Sequence, residues 1–191
     1  WAQLTLGIFG GGVDVTVGPQ ATLISSATGS EPIAVRANSG RGGTFTVNGR
    51  LVLTGSYPRI NMLTTAFTNI LEYGATDQTL AQKYTGTGVY QYNHLVLSGS
   101  GTKALFDNTT VTGSLTRKGT AMLSLGSGTP KTLTYGPAAE LVYGGTALQT
   151  TGPELSAATG GIAALRVENP AGVKLAQNLR VNEELALGGD L

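Results

Sequence analysis

His94 is the only histidine in the chain, so any Ser-His-Asp relay would have to run through it. It stands beside Asn93 with no aspartate near it in sequence, and it reads as a turn or surface histidine at a strand entrance. A metal centre meets the same obstacle: there is no cysteine, and the aspartates are scattered as Asp14, Asp77, Asp107 and Asp190. Glu183 and Glu184 are adjacent, but neighbours in a strand point to opposite faces. Sugar-cleaving enzymes need a pair of carboxylates in one cleft, and the eleven acids here fall into no recognisable motif. Two glycine-rich stretches suggest phosphate chemistry without meeting its spacing. In "SGSGTK" Lys103 follows Thr102, where a phosphate loop needs Gly-Lys-Ser/Thr, and "GIFGGGVDV" lacks the dinucleotide spacing and the helix that should follow. Both read as turns, so no catalytic residue, cofactor or metal is expected.

The tyrosines are the remaining polar candidates. Tyr84, Tyr90 and Tyr92 lie close together, and alternation puts Tyr90 and Tyr92 on one face of a strand. Exposed, the three would form a stacking platform for a glycan; half-buried, they would seal the core with their hydroxyls at the surface, which is the simpler reading. Threonine pairs such as Thr44 and Thr46, or Thr132 and Thr134, fit the solvent face of a strand better than an ice-binding surface. Asn108-Thr109-Thr110 is a glycosylation sequon by pattern.

The elements that would carry these residues are strands. "VDVTV" sets Val13, Val15 and Val17 on one face, and "FTVNGRLVL" does the same with Phe45, Val47, Leu51 and Leu53. Further alternation appears at Leu95 to Leu97, Thr110 to Leu115, Ala121 to Leu125 and Arg180 to Leu187. The stretch "INMLTTAFTNILEYG" fits a helix through Ile60, Leu63, Phe67, Ile70 and Leu71, and equally a strand through its threonines. Glycine is plentiful but lacks the collagen rhythm, and 40% hydrophobic content is too high for a disordered chain, so the glycines are assigned to turns. With only 12% charged residues and a net charge of +1, no field points to nucleic acid or an anionic membrane. No apolar run is long enough for a spanning helix, so no membrane insertion is expected. Ala2-Gln3 fits a processing scar, and the finish in "RVNEELALGGDL" fits a segment of something longer.

An internal repeat organises the pattern. Leu71, Tyr73, Gly74, Thr76, Leu95, Leu105, Asn108, Val111 and Leu115 recur 70 positions later as Leu141, Tyr143, Gly144, Thr146, Leu165, Leu175, Asn178, Val181 and Leu185. The repeat thus spans 71–115 and 141–185, with a weaker echo at 45–56, inside one domain of residues 1–191. The common unit is Val, a frequent Gly two positions on, then Leu four positions after the Val, as in "TVNGRL", "TVTGSL" and "RVNEEL", where Glu replaces the Gly. A period of 70 holds three coils of roughly 23 residues, within the range of stacked repeats. The expected fold is all-β, a parallel β-helix or β-solenoid of short stacked strands; an antiparallel β-sandwich is the alternative.

"YQYNHLVLSGSGTKALFDNTTVTGSL", preceded by "LEYGATDQ", resembles a repeat of large secreted and cell-surface bacterial proteins that are exported with terminal sorting domains. The match is good over Leu71 to Leu115 and poor over Leu141 to Leu185, where "AALRVENPAG" replaces the Tyr-x-Asn and Gly-x-Gly steps. The resemblance implies an extracellular adhesin-like or surface-layer scaffold on a bacterium and no catalytic residues. The expected partner is a second copy. Leu4, Leu6, Ile8 and Phe9 at one end would pair with the last coil, around Leu185 and Leu187, in a head-to-tail filament. Glycans or other cell-surface proteins are further candidate partners, through a carbohydrate-binding module; a polysaccharide-degrading β-helix enzyme is the weakest alternative.

Overall fold

The computed structural model describes residues 15–26, 44–55, 64–80, 90–156 and 161–188. Leu4, Leu6, Ile8, Phe9 and Tyr84 lie outside them. The described chain opens with β1 (Val15–Val17) and β2 (Thr22–Ser25), then β3 (Thr44–Val47) and β4 (Arg50–Leu53). Next come three long strands, each with a short one behind it: β5 (Thr64–Tyr73) and β6 (Gln78–Thr79), β7 (Tyr90–Leu97) and β8 (Thr102–Ala104), β9 (Thr109–Arg117) and β10 (Met122–Ser124). The path then divides into β11 (Leu133–Tyr135), β12 (Glu140–Tyr143) and β13 (Gln149–Thr150) and forms the short helix α1 (Pro153–Ser156). It ends in β14 (Ile162–Val167), β15 (Val173–Lys174) and β16 (Val181–Leu187).

Every strand pairing among the described residues is parallel, each strand hydrogen-bonding to its counterparts in neighbouring coils. The fold is therefore a β-solenoid, and the antiparallel sandwich is set aside. Three faces wind around one interior. The first holds β1, β3, the leading halves of β5, β7 and β9, and β11; the second holds β2, β4, the trailing halves of the long strands, β12, β14 and β16. The short strands make the third. Of the stretch that fitted helix or strand, Thr64–Tyr73 form β5, because its threonines and isoleucine suit a pleated surface and its aromatic and leucine side chains find ladders to join; Ile60 and Leu63 lie outside the described residues.

Leu23, Leu51, Leu71, Leu95, Leu115, Leu141, Leu165 and Leu185 stand in register on the second face, one above another. From Leu71 the steps to Leu95, Leu115 and Leu141 are 24, 20 and 26 residues, so the 70-residue recurrence is three coils of unequal length. Leu51 through Leu141 are fully buried. Full burial of each such side chain contributes roughly 1.5–3 kcal/mol. A second inner column runs Leu53, Tyr73, Leu97, Arg117, Tyr143, Val167, Leu187, and a third, on the first face, runs Val17, Val47, Phe67, Tyr92, Val111, Tyr135.

The glycine of the Val-x-Gly-x-Leu unit sits where the first face bends into the second. A Cβ on Gly113 would lie 2.8 Å from the Asn93 carbonyl oxygen, and one on Gly49 would overlap the carbonyl oxygens of Gly18 and Ala21. Both positions require glycine because a neighbouring coil passes so closely. The long strands also carry register shifts at this bend, between Phe67 and Ile70 and between Tyr92 and His94, which absorb unequal residue counts without disturbing the leucines beyond.

Candidate functional site

Outside the bend, parallel stacking places His94 between Ile70 and Ser114, with Glu140 on the far side of Ser114. His94 is thus half-buried in the middle of β7 rather than at a strand entrance, and its Nδ1 lies 2.9 Å from Ser114 Oγ. A catalytic relay needs an acid on the imidazole nitrogen away from the serine; here the order is His, Ser, Glu, and the other neighbour of the imidazole is an isoleucine. Glu140 turns instead to Arg166, at 3.4 Å, and Arg166 also reaches Glu184 at 3.5 Å. These exposed pairs contribute about 0–1 kcal/mol each. Nearby on the outer surface Glu72 accepts from Ser98 Oγ at 2.6 Å and pairs with Arg50. Burial pushes its carboxyl up, but the Ser98 hydroxyl and the Arg50 guanidinium outweigh this and hold it below the usual carboxylate range. Among the described residues no group of three or more His, Cys, Asp or Glu is placed to hold a metal.

The tyrosine reading is corrected in part. Tyr92 is fully buried, stacked on Phe67 with ring centroids 5.3 Å apart, and its hydroxyl lies 3.3 Å from that of Tyr73 deep in the interior. It neither faces a glycan nor carries its hydroxyl to the surface, because three residues separate it from the inward Leu95 and the bend turns both inside. Of Tyr90 only the backbone, at the start of β7, is described.

The interior also holds charge. Where the second inner column carries Tyr73 and Leu97 in earlier coils, it carries Arg117, which is 2% exposed. Arg117 donates through Nε and NH2 to the Ala121 carbonyl at 3.0 and 2.8 Å, through NH1 to the Thr150 carbonyl at 3.0 Å, and forms an ion pair with Glu154 of α1. Its guanidinium also lies 5.5 Å from the centroid of the Tyr143 ring. Tyr143 donates its hydroxyl to Glu154 Oε1 at 2.9 Å, and Tyr135 donates to the Glu154 backbone carbonyl at 2.9 Å. Burial, and the Glu154 carboxylate beside them, push both phenols well above the ordinary tyrosine value, so they remain donors. The available signal was an arginine at an inward ladder position, at the end of "TVTGSLTR"; the identity of its partner was not readable from spacing.

A polar spine lines the corner between the second and third faces. Gln78 donates to the carbonyls of Leu53 and Gly55 at 2.9 and 2.8 Å, and Gln149 to that of Gly119 at 3.1 Å. Lys103, fully buried, donates to Thr76 at 2.7 Å, to Ser100 at 2.8 Å and to Ala75. Each satisfies carbonyls that turn inward where the chain rounds the corner. The "SGSGTK" stretch is this corner. Burial pushes the Lys103 ammonium down to about 8, with Asp77 acting against the shift. An unfolded lysine titrates near 10.4, so between these values the unfolded chain holds the proton and the native one does not, and stability rises with pH across that window. The urea midpoint, followed from pH 7 to 10, is expected to rise in the parent relative to Lys103→Gln, which keeps an amide donor like its neighbour Gln78. Parallel profiles for the two proteins would contradict it.

At the last described rung, Leu185 and Leu187 are 58% and 70% exposed, although they continue columns that are buried in earlier coils. No helix among the described residues is long and apolar enough to cross a membrane. Compared with known proteins, the chain matches no family model, no curated protein and no solved structure.

Proposed function

We propose that the chain is a non-enzymatic structural or adhesive scaffold of a bacterial cell surface, and that its coils stack onto those of a second copy to build a head-to-tail filament. The observation that carries this reading is the exposure of Leu185 and Leu187: in the same columns Leu165 is 4% exposed and Leu141 and Tyr143 are fully buried. Among the described residues β16 offers a free parallel edge, so a copy placed on it would continue the Leu185 and Leu187 columns in a heterologous association that does not close. The strand we assign to β16 is the alternating Leu4, Leu6, Ile8 and Phe9 segment of the next copy. The resemblance to repeats of secreted surface proteins supports the extracellular setting, and the β-solenoid is the architecture it implies.

Electron microscopy and sedimentation across a concentration series test this. The parent should form uniform fibres that lengthen with concentration. Leu185→Asp with Leu187→Asp should leave single particles of unchanged secondary structure, since both leucines are exposed in one copy, and removal of residues 1–9 should likewise abolish the fibres. Single rods at every concentration in the parent would remove the filament, and fibres persisting in both variants would remove the assigned interface.

A further inference from the structure

α1 stands where the first face loses its strand. The inner column of that face runs to Tyr135 and resumes at Ile162 and Val181, and among the described residues β11 is paired on one side only, by β9. One coil later the chain forms α1, which packs against β10 and gathers inner side chains from the other strands: Arg117 from β9, Tyr135 from β11 and Tyr143 from β12. Leu155 is 2% exposed and belongs to the hydrophobic core, while Glu154 is fully buried. The helix therefore fills the interior rather than lying outside it.

Besides the core packing of Leu155 and the Tyr135 bond to its backbone, α1 is tied to the coils through the Glu154 carboxylate, and that carboxylate is unevenly satisfied. Oε1 accepts from Arg117, from the Tyr143 hydroxyl and from the Gly152 backbone N–H at 2.9 Å, whereas Oε2 is buried with no hydrogen-bond partner. A buried ion pair loses much of its attraction to desolvation, and an orphan oxygen adds to that cost. Below α1 one continuous column of fully buried leucine, Leu51 to Leu141, runs through the coils. Beyond it β14, β15 and β16 stack on the second and third faces, with Ile162 paired to Val181 at the bend from the first, and β16 is exposed from Asn182 to Leu185. The buried ion pair thus stands at the coil where helix replaces strand on the first face, beside the apolar packing of Leu155.

We propose that α1 is a latch that divides the solenoid into a clamped stack, up to β13, and an end stack of β14, β15 and β16 that opens and closes as a separate unit, with Glu154 on Arg117 as the catch. Opening at the catch uncovers the lumen side of β12, and closing it re-forms the floor on which the end stack rests. Sub-global opening of this kind follows the boundaries of contact-rich units. The latch belongs to one copy of the chain and does not depend on filament assembly.

Hydrogen exchange read by mass spectrometry on the full chain, at a dilution where sedimentation gives a single species, tests the latch. In the parent, β14, β15 and β16 should exchange together and faster than β5, β7 and β9; equal rates for the two groups would overturn the division. In Glu154→Gln, exchange of the end stack should rise by about tenfold or more while β5 and β7 change less than about twofold. A uniform rise along the chain, or none, would overturn the catch. The double variant Arg117→Met with Glu154→Met replaces the pair by apolar side chains and should return the end stack to at least parental protection. If it exchanges like Glu154→Gln, the catch is not the ion pair and the assignment fails.

Discussion

Replacing Arg117 by alanine is expected to destabilise the protein by about 3–5 kcal/mol, the range for removing one member of a buried ion pair. The reason is what remains: Glu154, fully buried in the core, is left without its counter-ion, and the carbonyls of Ala121 and Thr150 lose the donors that Arg117 supplied. A lowered urea midpoint at unchanged slope would report this loss as stability rather than altered compactness. A loss below about 1 kcal/mol, the size found for exposed pairs, would mean that water reaches the interior at this coil. The expectation differs sharply for Arg166, whose pairs with Glu140 and Glu184 are half-exposed.

The second large effect lies in the leucine column. Leu95→Ala and Leu115→Ala should each cost about 2–5 kcal/mol, because both side chains are fully buried and a solenoid interior, pinned by strand pairing above and below, has little freedom to collapse into the cavity. The two stand in register on neighbouring strands, so the double variant should depart from additivity by about 0.5–3 kcal/mol, as contacting residues do. Leu185→Ala is the internal control. It occupies the same column but is 58% exposed, and in dilute solution it should change stability by no more than about 0.5 kcal/mol. Chemical denaturation of the four proteins under one condition decides it; equal costs for Leu115 and Leu185 would show that the end rung is covered in solution.

Much of this architecture was legible in the residue pattern. Alternation marked Val17, Val47, Leu51 and Leu53 as inward, and all are buried. The 70-residue recurrence implied three coils, and the parallel register joins Leu71 to Leu141 through Leu95 and Leu115. The match fades toward the end of the repeat: Leu105 is buried, yet its counterpart Leu175 is 51% exposed, because fewer strands surround the later rungs. The candidate site was far less legible. Tyr92 shows the difficulty, since strict alternation cannot include a bend that returns residues three apart to the same side.

The physical division follows from where each constraint acts. Strand, turn and glycine positions depend on local backbone geometry and on a ladder in which like residues stack on like, so a one-dimensional pattern carries them. What stands across the interior from a given side chain depends on coil lengths, which vary, and on segments that leave the pattern altogether. Glu154 reaches Arg117 across 37 residues from a short helix that has no counterpart among the described residues of the other coils, and only three-dimensional closure brings them together. The repeat made the solenoid; the packing of the turn that carries α1 decided where the Arg117–Glu154 charge is buried.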